Sequence, residues 1–297
     1  MNKIYEEVTN QIITMLEQGQ IPWHKPWTGT SAGAISHSTG RPYSLLNQIL
    51  LMVPGEYITW NQCHQEGGSV KKGAKAKHVY FWKLYQKPET DEDGNPVLDD
   101  EGKQKMVKIP VLKSFQVFHI NDCEGIKAKW TDKLPEIAAK PVEEVEAVFM
   151  DYITREKIGL ENQAISDRAF YSPVYDKINL PRIDQFSETA EYYSTAFHEA
   201  VHSTGHHKRL NRFKENEKLA AFGSQDYSKE ELVAEIGAAC ILHSMGIETP
   251  DSLKNNAAYI QSWLSALKND KQMVIGAAAR AEKAVAMILN QTEENPA

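Results

Sequence analysis

Cysteine is scarce in this chain: Cys63, Cys123 and Cys240 are the only three in 297 residues. They are odd in number, lie far apart in the sequence and form no CxxC pair, so neither a disulfide framework nor a thiolate zinc knot is indicated. Long apolar runs are missing as well, and nothing approaches the roughly 20 residues that a membrane span needs. The N-terminal stretch MNKIYEEVTNQIITMLEQG places acids where a secretory leader requires an uninterrupted apolar core. A cytoplasmic protein with no membrane partner is expected. Nor is there an overall excess of positive charge, the formal net charge being -7. That sum hides an asymmetry, because residues 1–130 hold 15 basic and 14 acidic side chains while residues 131–297 hold 18 and 26. The acidity belongs to the second half, and the first half is not barred from nucleic acid.

What is present suits an α+β protein of two domains. Ile4, Val8, Ile12, Met15 and Leu16 predict a helix over residues 3–18 that ends at Gly19. The following GQIPWHKPWTGTSAGA is rich in Pro, Gly and small polar residues and reads as a loop exposing Trp23 and Trp27. SLLNQILLM reads as a short helix, EYITW as a strand and KHVYFWKLYQK as an alternating strand. The acidic stretch 89–105, ETDEDGNPVLDDEGKQK, suits a solvated hairpin excursion between strands 78–87 and 106–118. Pro135 and Pro141 in a polar stretch set the domain boundary, giving domains 1–130 and 146–297 joined by a linker, 131–145. The second half opens with a helix over 142–155. Pro173 and Pro181 in DRAFYSPVYDKINLP then fit an edge strand better than a central one. Ser187 is expected to cap a helix over 188–204 closed by Gly205, and 229–290 is mostly helical.

Inside that capped helix stands AFHEAVHSTGHH. His198 and His202, four residues apart, share one face and can hold one tetrahedral ion, with zinc expected and manganese a substitute. Glu199 follows the first histidine directly. In the H-E-x-x-H arrangement this carboxylate takes a proton from an attacking water and passes it to a leaving amine. A third ligand is required. The metzincin pattern would need histidine where Lys208 stands, so it fails. His206 and His207 follow the glycine too closely to turn back onto the same ion, and read as cleft-lining or surface groups. Glu231 and Glu235, in YSKEELVAEIGAACIL, lie four apart on a helix that Leu232, Val233, Ile236 and Ala239 would bury. This spacing resembles that of the glutamate-type zincins, or gluzincins. The resemblance implies Glu231 as ligand and Glu235 as the carboxylate that orients a ligating imidazole. A rival assignment turns Glu230 outward and makes Glu235 the ligand. Peptidases of this architecture bind substrate as an added strand, and 168–181 is placed in the chain to be the receiving edge. Tyr227 is either an oxyanion donor or a buried structural side chain.

In the first half, Lys71, Lys72, Lys75, Lys77, Lys83 and Lys87 interleave with Tyr80, Phe81, Trp82 and Tyr85 without an acid among them. Charges that follow phosphates beside rings on which bases stack are the two components that single-stranded nucleic acid needs. Trp23, His24, Lys25 and Trp27 form a second such cluster. Lysines alternating with aromatics describe a half-buried strand equally well, and spacing alone does not choose. Gly68 and Gly73 have P-loop spacing, but Ala74-Lys75 follows where Lys-Ser/Thr is required.

The ordered set IPWHKPW, TGRPYSLLN, GGSVKKGAKAKHVYFW, VFHINDCEGI, DKINLP, YYSTAFHEAVHSTGHHKRL and YSKEELVAEIGAA resembles the ArdC-type antirestriction proteins of conjugative plasmids over nearly the whole chain. The resemblance implies an N-terminal domain that binds single-stranded DNA and a C-terminal zincin-like metallopeptidase domain. It further implies a role in protecting incoming plasmid DNA from host restriction during conjugation; a host restriction-modification protein is the expected partner that the metal domain cleaves or merely grips. Arg41 and Tyr43, in the second of these stretches, join Trp23, Lys25, Trp27, Lys71, Lys72, Lys75 and Lys77 as expected DNA contacts. VFHINDCEGI departs from the pattern at His119 and Asp122, where Asn and Gln are expected, and no role is carried to it. Two other readings stay open: a DNA-binding protector whose zinc domain is non-proteolytic, and a metallopeptidase without a DNA role.

Overall fold

Val8, Thr9, Ile12, Ile13 and Leu16 recur at helical spacing along α1 (Lys3–Glu17), and all are buried. Gly19, with φ 75°, ends the helix in the left-handed region that glycine tolerates best. The computed structural model describes residues 3–23, 33–91, 93–131, 140, 142–213, 225–247 and 257–291, the side chains of 225–227 and 257–259 excepted. After β1 (Ala34–Ser36), every residue of α2 (Leu45–Leu51) is buried, including two amides. Asn47 bonds both backbone groups of Tyr80 and Gln48 both of Ala34, at 2.8–2.9 Å, so the amides are satisfied and anchor the helix to the sheet.

That sheet has the order β1-β2-β5-β4, with β2 at Gly55–Ile58, β4 at Lys77–Pro88 and β5 at Met106–His119. β1 and β2 are parallel and the remaining pairs antiparallel. Between them lie α3 (Trp60–Gln65), started by a reciprocal Thr59/Gln62 capping box, and β3 (Ser69–Val70), which pairs with β6 (Cys123–Glu124). Cys63 and Cys123, distant in sequence, are buried together as free thiols, and burial with hydrogen bonding to Cys63 pushes Cys123 up to about 12.

β4 and β5 form a long ribbon, paired from Lys77 with Val117 out to Pro88 with Met106. Val79, Tyr80, Leu112 and Val117 bury its base, and β4 is exposed from Trp82 onward. The acidic excursion at its end contains two turns where one was expected. Asp91 and Asp99 each accept backbone N–H groups two and four residues ahead, at 2.8–3.0 Å.

The second half opens with α4 (Val142–Arg155) and a three-stranded sheet of order β7-β9-β8. β7 is Gly159–Glu161, β8 Phe170–Ser172 and β9 Lys177–Asn179. The segment 168–181 is therefore a hairpin and not one edge strand. Pro173 stands in its turn, where a missing N–H costs no ladder bond, while β8 takes the edge and β9 the centre. In α5 (Thr189–Thr204) the N-cap is Glu188, and Ser187 Oγ instead donates to Glu191 Oε2 at 2.7 Å, which corrects the expected cap by one residue. Among the described residues three further helices follow, α6 (Gln225–Ser244), α7 (Ala257–Asn269) and α8 (Met273–Ile288).

One hydrophobic core joins both halves of the chain. Ile12 and Leu16 of α1 and Ile49 of α2 share it with Phe149, Phe197, Leu232 and Val285. Glu282 of α8 also accepts the Leu45 N–H at 3.1 Å, satisfying a free donor in the first turn of α2. Trp23 belongs to this core. Its indole is 1% exposed and packs edge-to-face on Trp263 at 5.7 Å, so the expectation that it is exposed is corrected. Lys25 and Trp27 lie outside the described residues.

Candidate metal centre

α5 and α6 pack closely because Gly237 faces Val201: a Cβ there would lie 2.8 Å from Val201 Cγ2. Leu232, Val233 and Ile236 of α6 are buried in the core that also holds Val201. Helical phase then turns Glu231 toward the two histidines. His198 Nε2 and His202 Nε2 are 3.1 Å apart, and the Glu231 carboxylate lies 3.5 Å from the first and 3.3 Å from the second. The three donor atoms fall within 4.8 Å of one another. Two imidazole nitrogens and one carboxylate oxygen facing one point match the donor set of a catalytic zinc site and accept other first-row divalent cations.

The electrostatics favour positive charge at that point. Burial works against the Glu231 charge, but the hydrogen bonds and charges of His198 and His202 overcome it and hold the carboxyl far below its usual range. Burial likewise opposes charge on His202, yet Glu230 and Glu231 raise it to about 10. Among the charges acting on His198 are Glu199 and Glu235, both of which favour its charged form. Glu199 itself is 8% exposed and follows His198 on α5.

Glu230 was missed as a functional group and does not point outward. Its side chain is 12% exposed, lies 3.4 Å from His202 Nδ1 and is gripped by Arg212. It therefore stands beside the second nitrogen of the His202 ring, while Glu235, the carboxylate expected to orient a ligating imidazole, lies outside the three-donor cluster and acts on His198. Neither His206 nor His207 joins that cluster. His206 is buried, 3.8 Å from Asp176, with Nδ1 accepting the Lys208 N–H at 3.3 Å, and His207 is exposed. The Tyr227 side chain is outside the described set.

Of the expected DNA contacts, Arg41, Lys71, Lys72, Lys75 and Lys77 are exposed. Lys71 Nζ donates to the Asn121 carbonyl at 2.7 Å. Tyr43 is 7% exposed and packed between Tyr57 and Phe81, so it presents no open ring face. His119 has a structural place: its Nε2 lies 3.1 Å from the Pro54 carbonyl, over Gly55, where φ is 129° and a Cβ would meet the ring at 2.3 Å. Among the described residues no helix is long and apolar enough to cross a membrane.

The crystal structure of the antirestriction ArdC protein from the R388 plasmid, in its metal-free form, superposes with a TM-score of 0.71. At 31% identity the match covers 97% of this chain and 99% of that one. The chain belongs to the ArdC antirestriction family. The Mn(II)-bound structure of the same ArdC protein matches at 30% identity and a TM-score of 0.71, covering 96% of this chain and 97% of that one. Residues 2–118 match the model of the N-terminal domain of the anti-restriction factor ArdC, and residues 145–280 that of a zincin-like metallopeptidase. Two DNA primase TraC proteins of Escherichia coli are 35% and 34% identical over 94% of this chain, which spans only 19% and 26% of their lengths. The α+β layout and a divalent-metal site are thus common ground between this chain and ArdC.

Proposed function

We propose that this protein is an antirestriction factor whose first half, residues 1–130, binds single-stranded DNA and whose second half, 146–297, carries a working metallopeptidase site. In this reading it protects plasmid DNA entering a recipient by conjugation, and its peptide substrate is a host restriction-modification protein. The observation that carries the reading is the convergence of His198, His202 and Glu231, with Glu199 beside them, in a chain matching ArdC almost end to end. The two primase relatives hold this module within much longer chains that are named for work on DNA.

His198, His202 and Glu231 would hold the cation, which when bound supplies Lewis acidity toward a peptide carbonyl. Glu199 accepts the proton of the attacking water and returns it to the departing amine nitrogen. Glu230 fixes the His202 ring through Nδ1. The β8 edge, packed against α5, is the surface along which an extended peptide adds as a strand.

A protection assay in a restricting recipient tests both halves. Glu199→Gln is expected to retain metal and lose protection. Full protection by Glu199→Gln would instead leave a DNA-binding protector with a non-proteolytic metal domain. Wild-type protein that fails to bind oligonucleotides would overturn the DNA part.

A further inference from the structure

We infer that the single-stranded DNA track runs along one face of the β4–β5 ribbon, with Phe81, Tyr85 and Phe115 as the stacking platform and Lys77, Lys83, Lys87 and Lys113 as the phosphate contacts; this rests on the reading that the first half binds single-stranded DNA. Side chains of alternate residues share a face of a β-ribbon, so the register assigns every ribbon residue to one side. Lys77, Val79, Phe81, Lys83, Tyr85 and Lys87 of β4 oppose Val117, Phe115, Lys113, Val111, Ile109 and Val107 of β5. This face holds four lysines. The other face holds one, Lys108, beside Trp82, Leu84, Pro88, Met106 and Pro110. Neither strand contains an acid.

The rings on the lysine face form a file that leads out of the core. Tyr57 and Tyr43 are 6.3 Å apart, Tyr43 and Phe81 6.0 Å, and Phe81 and Phe115 5.9 Å. The inner members are buried and hold the outer ones in place, while Phe115 and Tyr85 are 36% and 46% exposed. Lys83 Nζ lies 5.2 Å from the Phe115 centroid, and Lys113 Nζ 5.4 Å from that of Tyr85. At an exposed site such cation–π contacts are weak, so an ammonium can leave the ring for a phosphate while a base takes the ring face. At about 3.3 Å per residue, Lys77 to Lys87 spans about 33 Å, enough for several nucleotides in extended form. Stacking on rings with no hydrogen-bonding pattern nearby fits binding without strong sequence preference. The opposite face has apolar area but almost no charge with which to follow a phosphate backbone.

The test is fluorescence anisotropy of full-length protein with a labelled oligothymidylate about 20 nucleotides long, across a salt series. Tyr85→Ala/Phe115→Ala is expected to weaken binding about tenfold or more. Lys83→Gln/Lys113→Gln is expected to reduce the log–log salt slope by about 1.4, at about 0.7 per phosphate contact. Trp82→Ala/Leu84→Ser, on the other face, is expected to bind like wild type, and unchanged metal content shows that each variant is folded. If wild type binds and both lysine-face variants bind equally well, the assignment is overturned. It is likewise overturned if only the Trp82/Leu84 variant loses binding, or if wild type prefers the duplex form. A wild type that binds no oligonucleotide overturns the broader DNA reading, and this assignment with it.

Discussion

Arg212 grips Glu230 through two guanidinium nitrogens, Nη2 at 2.7 Å and Nε at 3.0 Å, and so turns its carboxylate toward His202. The same guanidinium donates to Thr204 Oγ1 and to the Val201 carbonyl, which ties it to the end of α5. A ligating imidazole whose second nitrogen is held this way keeps its tautomer and orientation. Glu230→Gln is expected to weaken metal affinity about 10- to 100-fold with the fold intact. Arg212→Lys, which cannot make the planar fork, is expected to fall between. Competition against a chromogenic chelator measures both, and wild-type affinity in Glu230→Gln would show that α5 alone orients the ring.

How the His202 environment came to be missed shows where sequence reading stops. The histidine pair was legible because two ligands four apart on one helix need only local geometry. Glu231 was legible only through the resemblance to glutamate-type zincins, since its apolar neighbours show that α6 has a buried face but do not choose between Glu231 and Glu235. Glu230 was not, because its direction depends on Arg212, which sits in an irregular segment with no period to read. Trp23 failed for a related reason: the Pro- and Gly-rich composition around it describes the local backbone, whereas Trp263 buries it from far along the chain. The ribbon was visible as two strands around an acidic insert, but which face carried the lysines required the register. Pro173 and Pro181 pointed to an edge strand, yet the segment they punctuate supplies both the edge strand β8 and the central strand β9, because a proline serves the turn between them equally well.

Metal affinity should depend steeply on pH. In protein stripped of metal, His202 stays protonated up to about 10 because Glu230 and Glu231 outweigh burial. Ligation must displace that proton, so affinity is expected to fall about tenfold per unit as pH drops through the neutral range. The linked stability runs the other way. A histidine whose pKa is raised on folding contributes stability that is complete below about 6.5 and lost as pH rises toward 10. Calorimetric titrations in buffers of different ionisation enthalpy check proton release, and release of no proton at pH 7 would contradict the assignment.

Acid stability should hinge on Glu56. Its buried carboxylate accepts the backbone N–H groups of Lys129, Trp130 and Thr131 at 2.7–3.1 Å and faces His37 Nδ1 at 2.5 Å. Burial opposes its charge, but these donors prevail and hold the carboxyl at about 2. A depressed carboxyl contributes stability that is present above about 4.5 and lost as pH falls toward 2, here about 3 kcal/mol. Glu56→Gln is expected to remove most of that at pH 7 and to flatten the acid limb of the stability curve. Urea unfolding at pH 7 and pH 3 checks both.

The turn of the β8–β9 hairpin is fixed to the end of α5 by a buried ion pair between Asp176 and Arg209. The Arg209 side chain is 1% exposed; it donates to both Asp176 carboxylate oxygens, with Nη1 to Oδ2 at 3.2 Å, and through Nε to the Ser203 carbonyl at 2.7 Å. Tyr171 of β8 donates to Asp176 at 2.8 Å. Asp176→Ala leaves a guanidinium buried without its counter-charge, which is expected to cost about 3–5 kcal/mol. The φ of 47° at Asp176 adds strain for alanine, whereas asparagine adopts that region more readily. Asp176→Asn therefore isolates the charge and is expected to cost less. Asp176→Ala/Arg209→Met, with no orphaned charge, is expected to recover part of the loss. Because Asp176 touches none of the three metal donors, metal affinity is expected to stay within a few-fold of wild type in each folded variant. A large loss of metal in Asp176→Asn would show that the hairpin and the α5–α6 pair behave as one unit, whereas a loss of peptidase activity alone would place the hairpin edge on the substrate path.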